Sequence, residues 1–85
     1  MRRPLIAGNW KMHKTPQETE EFIVEFLSKL ANEERIEILI VPPFTSLDRA
    51  GKLLKGKSLL LGAQDIHYEA EGAFTGAISA RMLKA

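Results

Sequence analysis

The sequence predicts an α/β fold with a parallel sheet, and three observations carry the prediction. Short apolar runs without helical period alternate with amphipathic stretches, in the order strand, helix, strand, helix, strand. The central run, "IEILIV" at 36–41, is apolar almost throughout, the pattern of a strand covered on both faces. Each amphipathic stretch opens on a threonine followed three residues later by an acid, which marks a helix start. Strict alternation of this kind implies right-handed crossovers, and those make neighbouring strands parallel.

The first strand is read over "PLIAGNW", residues 4–10. Pro4 takes the first position, where a missing N–H matters least. A helix follows over 15–31. Thr15 caps it, Pro16 suits the first helical position, and Glu18 completes a capping box. Gln17, Glu18, Glu20 and Glu21 crowd its positive end. Phe22, Ile23, Phe26, Leu27 and Leu30 form one apolar stripe, with Glu21, Glu25 and Lys29 on another face. Pro42 and Pro43 end the second strand. The second helix is read over 45–56, with Thr45 and Asp48 as its capping pair and Leu47, Ala50, Leu53 and Leu54 as its stripe. Gly51 weakens its middle and Gly56 suits its stop. "SLLLGA", 58–63, is the third strand.

Beyond it the pattern changes. Residues 64–78 have no clear period, and a loop of about 15 residues is uncommon unless it has a task. Ile66, Tyr68 and Phe74 within it call for something to receive them. Ser79 reads as the cap of "ARMLKA", which reaches the last residue, Ala85, after about one and a half turns. The chain reads as interrupted there.

Composition narrows the function. Twelve basic and 11 acidic residues give a net charge of +1, which argues against a dedicated nucleic-acid binder. The lysines of "KLLKGK", 52–57, read as a solvated helix end. There is no cysteine, so disulfide scaffolds and thiolate metal sites are excluded. Two histidines, His13 and His67, are too few for a histidine zinc site without carboxylates; both read as exposed loop residues. No apolar run reaches the ~18 residues of a membrane span. The apolar run in "MRRPLIAG" is too short for a signal peptide, so the expected location is cytoplasmic.

The chemistry concentrates in "GNWKMHK", 8–14. Strand alternation puts Leu5, Ala7, Asn9 and Lys11 on one face. The polar pair then stands at the carboxyl end of a parallel strand, where such folds bind ligands. Lys11 would offer a cation to an anion, with Asn9 a neutral donor beside it; phosphates and developing oxyanions need such help. On spacing alone, a lysine leaving to solvent where the strand ends is the simpler reading.

Three blocks tip that balance. "AGNWKMHKT" resembles the first-strand signature of the triosephosphate isomerase family. "VPPFTSL" resembles the segment after that family's second strand, and "LGAQDIHYEAEGAFTGAIS" its third strand and long third loop. They occur in order and at proper separations, and the resemblance extends over essentially the whole chain. The resemblance implies the first three βα units of a (β/α)8 TIM barrel, with residues 1–85 an incomplete N-terminal part of one domain. A complete barrel runs to about 250 residues. The implied reaction interconverts dihydroxyacetone phosphate and glyceraldehyde 3-phosphate through an enediolate, without metal or organic cofactor. Asn9 and Lys11 are then catalytic and substrate-binding: Lys11 binds phosphate and offsets enediolate charge, and Asn9 holds Lys11 in position. Trp10 packs between barrel and helices. The family's electrophilic histidine and glutamate base belong to later strands, and neither His13 nor His67 matches the histidine.

The resemblance also gives the long loop a task. In the family it docks into a second subunit of a homo-oligomer. Thr75 would be its tip, reaching Asn9 and Lys11 of the partner subunit. Phe74 would support it, Gly72 and Gly76 would allow its turns, and Met12 would line the receiving pocket; Met12, Phe74, Thr75 and Gly76 are thus the expected dimer interface. A loop folded on itself is the alternative. Three positions depart from the family pattern: Ala77 stands for a glutamate, Ala80 for a proline and Asp65 for an asparagine. The expected partners are a triose phosphate, a second subunit and the later barrel segments, with no nucleic acid and no membrane. The 85 residues alone are expected to lack isomerase activity and to be self-associated or partly folded. Two other functions compete. One is a non-catalytic barrel fragment that acts in folding, self-association or complementation. The other, a small flavodoxin-like phosphate binder, needs a glycine-rich loop that "NWKMHKT" does not provide.

Overall fold

The computed structural model describes residues 3–30 and 36–85. Its elements are β1 (Leu5–Asn9), α1 (Pro16–Leu30), β2 (Glu37–Val41), α2 (Phe44–Leu54), β3 (Leu60–Leu61) and α3 (Ala80–Lys84). The strands form one parallel sheet in the order β1-β2-β3. Ile6 lies beside Ile38, Gly8 beside Ile40 and Asn9 beside Val41. The expected α/β alternation is therefore present.

The core lies on one side of the sheet. Ile40 and Leu59 meet Ile23 of α1 and Ala50 and Leu54 of α2, all buried. Trp10, Phe22, Phe26, Leu27, Ile38 and Leu53 pack around them. Among the described residues no helix covers the opposite side, with Leu5, Ala7 and Asn9. The sequence suggests a β2 covered on both faces, yet only Ile40 in it is buried. Its one apolar layer of helices covers one face, and no other described element lies across the second. β1 is exposed along its whole length, and its outer edge is unpaired in the sheet.

α1 starts as its capping box requires. The Thr15 N–H donates to Glu18 Oε1 at 2.9 Å, and the Glu18 N–H donates to Thr15 Oγ1 at 3.2 Å. Ala31, the expected last residue of this helix, lies outside the described residues. Ile23 is the fully buried member of the predicted stripe. Thr19 is also fully buried, and its hydroxyl donates to the equally buried Ser46 of α2 at 2.8 Å. This hydroxyl pair crosses the helix–helix contact without an unpaired polar atom.

α2 corrects the expected Thr45–Asp48 cap. Pro43 is the N-cap, in extended geometry, so Thr45 already lies inside the helix. The Ser46 N–H donates to the Pro43 carbonyl at 2.9 Å, and Asp48 instead pairs with Lys52 at 2.9 Å. Proline supplies a fixed backbone angle here where the sequence suggests a side-chain cap. Gly51 does not break the helix. At the far end the Lys57 N–H donates to the Leu54 carbonyl at 2.8 Å, closing a turn with Gly56 at φ 79°.

β3 is shorter than the predicted 58–63: only Leu60–Leu61 pair with β2. Leu59 turns into the core, 3% exposed. Ser79 caps α3 as expected, accepting from the Met82 N–H at 3.3 Å. No helix among the described residues is long and apolar enough to cross a membrane.

Candidate active site

β1 delivers Asn9 to the carboxyl end of the sheet, level with Val41 at the end of β2. The Asn9 Oδ1 then accepts the Lys11 N–H at 2.9 Å. This is an Asx-turn, in which the side chain two residues back replaces a backbone acceptor. Lys11 has φ 54°. Strand alternation therefore stops at Asn9, and the inference that put Lys11 on the strand's Ala7 face is corrected: the turn, and not the pleat, sets its direction. A side-chain-bearing residue in this left-handed region costs about 1–2 kcal/mol, so the turn must be held by its surroundings.

It is held on both sides. The Gln64 Nε2, in the segment after β3, donates to the Lys11 carbonyl at 2.8 Å and to the Val41 carbonyl at 3.0 Å. Val41 also accepts the Trp10 N–H at 3.0 Å. One amide thus ties the segment after β3 to the segment after β1 and to the end of β2. Lys14, at φ 73°, is a second left-handed residue. Its Nζ stands 5.3 Å from the Phe22 ring centre and 5.9 Å from that of Trp10. A cation over aromatic faces at an exposed site contributes about 0.5–1 kcal/mol, which offsets part of the local strain. Trp10 meets Phe22 edge to face at 5.1 Å, and Phe22 stacks on Phe26 at 5.4 Å. Trp10 accordingly packs against α1, as expected of it.

The loop after β3 folds back on itself at its base. The His67 N–H donates to the Ile78 carbonyl at 2.6 Å, and His67 and Ser79 form a parallel bridge. His67 is not the exposed residue that its loop position suggests. It is half-buried, stacked on Phe74 at 4.1 Å and Tyr68 at 4.6 Å, and its Nδ1 accepts the Glu69 N–H at 3.0 Å. Arg81 of α3 pairs with Glu71 at 3.1 Å. At the tip the Ala77 N–H donates to the Phe74 carbonyl at 3.0 Å, with Gly76 at φ 83°. A positive φ at the third residue is the type II arrangement, and it leaves Thr75 at the exposed corner. His13 is exposed.

The pair Asn9 and Lys11 is thus brought together, whereas the four expected interface residues fall in two places. Met12 follows Lys11 and is 93% exposed; Phe74, Thr75 and Gly76 form the tip of the long loop. Gln64 escaped the sequence reading. An amide just past a strand end was its only local signal, and its partners lie 53 and 23 residues away. Among the described residues no group of His, Asp or Glu could hold a metal ion. A groove of about 760 Å³ between α2, β3 and α3, lined by Phe44, Leu47, Gly51, Leu61 and Met82, includes neither Asn9 nor Lys11.

A profile for triosephosphate isomerase matches residues 4–85. The chain belongs to the triosephosphate isomerase family. The triosephosphate isomerase of Aquifex aeolicus is 61% identical over 82 residues, which cover 96% of this chain and 33% of that protein. That of Dictyoglomus thermophilum is 57% identical over 84 residues, 99% of this chain and 34% of the relative. The crystal structure of triosephosphate isomerase from Bartonella henselae superposes with a TM-score of 0.82 at 42% identity, over 98% of this chain and 34% of the other. The chain therefore spans about a third of the length of the curated relatives it matches. Its fold is that of the first three strand–helix units of the triosephosphate isomerase barrel.

Proposed function

We propose that the chain is the N-terminal part of a single (β/α)8 barrel that interconverts dihydroxyacetone phosphate and glyceraldehyde 3-phosphate. The observation that carries this reading is the Asx-turn that holds Lys11 beside Asn9 at the carboxyl end of β1, in a chain of this family. Lys11 binds the substrate phosphate and offsets the negative charge of the enediolate. Asn9 holds Lys11 through its backbone. The proton is carried by groups of later barrel segments. The long loop, with Thr75 at its corner, docks on a second subunit of a cytoplasmic homodimer and packs near Met12 of that subunit.

The test is to join residues 1–85 to the later two-thirds of the Aquifex aeolicus relative and assay isomerisation. The joined barrel is expected to be active. Lys11→Ala in it should lower kcat/KM by about 100-fold or more, as for removal of a charge-stabilising group. The 85-residue chain alone should show negligible turnover. Substantial turnover by the chain alone, abolished by Lys11→Ala, would overturn that division of labour. A joined barrel indifferent to Lys11→Ala would overturn the role of Lys11.

The second reading is a non-catalytic fragment that acts in folding, self-association or complementation. The bare face of the sheet and the open edge of β1 favour it. Unpaired strand edges are ready templates for another chain.

A further inference from the structure

We propose that the outer edge of β1 pairs with β1 of a second copy of this chain, antiparallel, about a two-fold axis at Ala7. This deepens the self-association reading and rests on it. The ladder to β2 shows which backbone groups are free. The Glu37 N–H donates to the Pro4 carbonyl at 2.8 Å, and the Trp10 N–H donates to the Val41 carbonyl at 3.0 Å. Alternate residues of a strand bond the same neighbour, so Ile6 and Gly8 also turn to β2. Leu5, Ala7 and Asn9 then turn their N–H and C=O groups outward, where no described strand meets them. Strand edges are commonly blunted by charge, proline, a bulge or brevity. β1 has none of these: its residues are Leu5, Ile6, Ala7, Gly8 and Asn9, and each has one partner in β2. The other edge of the sheet is β3, which is blunted by brevity, with only Leu60–Leu61 paired.

Two copies that share the same edge are related by a two-fold axis, and closed pairs of this kind are the commonest oligomers. The axis makes the pairing antiparallel, and the outward residues fix its register. Leu5 and Asn9 lie at equal distances either side of Ala7, so Ala7 faces Ala7 of the second copy, and Leu5 faces its Asn9. Every outward donor then meets an acceptor. On the helix-facing side Ile6, 56% exposed, comes opposite Gly8 of the second copy, and a Cβ on Gly8 would meet nothing within 4 Å. The branched side chain therefore has room. The exposed area is also sufficient. The chain exposes 6713 Å², whereas a folded monomer of this size exposes about 5,000 Å². The excess of about 1,700 Å² is larger than the ~800 Å² that each partner contributes to a standard interface.

Sedimentation velocity and thiol cross-linking of the 85-residue chain test the pairing. Ala7→Pro removes an N–H that points outward and leaves the bonds to β2 in place, since proline is tolerated on an edge strand. It should raise the dimer dissociation constant about tenfold or more, because each copy loses a donor. The chain has no cysteine, so Ala7→Cys supplies a single thiol at the two-fold axis. Directly opposed residues of a hydrogen-bonded pair stand about 5.5 Å apart, within disulfide reach. Ala7→Cys should therefore link into a covalent dimer under mild oxidation. Leu5→Cys should not, because its counterpart on the second copy lies about 14 Å away. A dimer that Ala7→Pro leaves intact, or Leu5→Cys linking as fast as Ala7→Cys, overturns the edge pairing while self-association stands. Species that grow beyond a dimer with concentration overturn the two-fold pairing as well. If the unsubstituted chain is a monomer at every concentration, the self-association reading and the edge pairing both fail. If Ala7→Pro unfolds the chain, the two cysteine variants still decide.

Discussion

On the helix-facing side of the sheet, Ile40 and Leu59 retain 4% and 3% of their surface, and Ile23 none. On the other side Leu5 retains 56% and Leu60 42%. The sheet thus has one face with a buried core centred on β2 and one face left open. The helix-facing side is closed over β2, where α1, α2 and the sheet supply each other's partners, but Ile6 at the β1 edge of the same side remains 56% exposed. The open side holds Asn9 and is bounded by loops whose apolar residues, Met12 and Tyr68, are 93% and 89% exposed. The buried core and Asn9 thus lie on opposite faces, and the core is closed at β2 but not at β1.

Substitutions can test that division. The largest effect is expected from Ile23→Ala, which empties a fully buried site and should cost about 3 kcal/mol in urea unfolding of the joined barrel. On the open side, Leu5→Lys should leave the core packed and reduce self-association of the 85-residue chain in sedimentation velocity. If Leu5→Lys instead unfolds the chain, the open face is not open.

A smaller effect should follow Thr19→Val, which takes the donor away from the buried Ser46 hydroxyl and should cost about 2 kcal/mol. The double change with Ser46→Ala should recover most of that loss. Strict additivity of the two single costs would argue against a coupled pair.

The smallest concerns the cap of α1. The Thr15 N–H, then the Thr15 hydroxyl, hold the Glu18 carboxyl below its ordinary value, with Lys14 adding a weaker pull. A depressed carboxyl pKa stabilises the fold above its unfolded-state value. That contribution is lost as pH falls through the lower folded value. Thr15→Ala should lower stability by about 1 kcal/mol at neutral pH. Acid titration should then show a smaller Glu18 difference between folded and unfolded states. An unaltered Glu18 titration in Thr15→Ala would remove the hydroxyl from the cause and leave the Thr15 N–H, which alanine keeps.

The elements were legible in the sequence because their signals are local. The stripe through Ile23, the box from Thr15 to Glu18 and the cap at Ser79 each lie within a few residues, and the structure keeps them all. What eluded the sequence is long-range or conformational. Thr19 and Ser46 are polar residues whose burial makes sense only once two helices cross. His67 is covered because the loop brings Phe74 back over it. Thr45 lost its capping role to Pro43, which ends one element and begins the next. At the site, the resemblance singled out Asn9 and Lys11. The pleat could not give the direction of Lys11, because the Asx-turn breaks the alternation on which that inference depends.

Trp10 is the chain's one tryptophan, and it stands next to Lys11 with the Lys14 ammonium over its ring. The arrangement makes the chain its own optical probe. Indole emission depends on nearby charge and on access to water, and both would change if the turn released Lys14. A shift in emission would therefore register the state of the Lys11 segment in solution, with no label attached and no residue replaced.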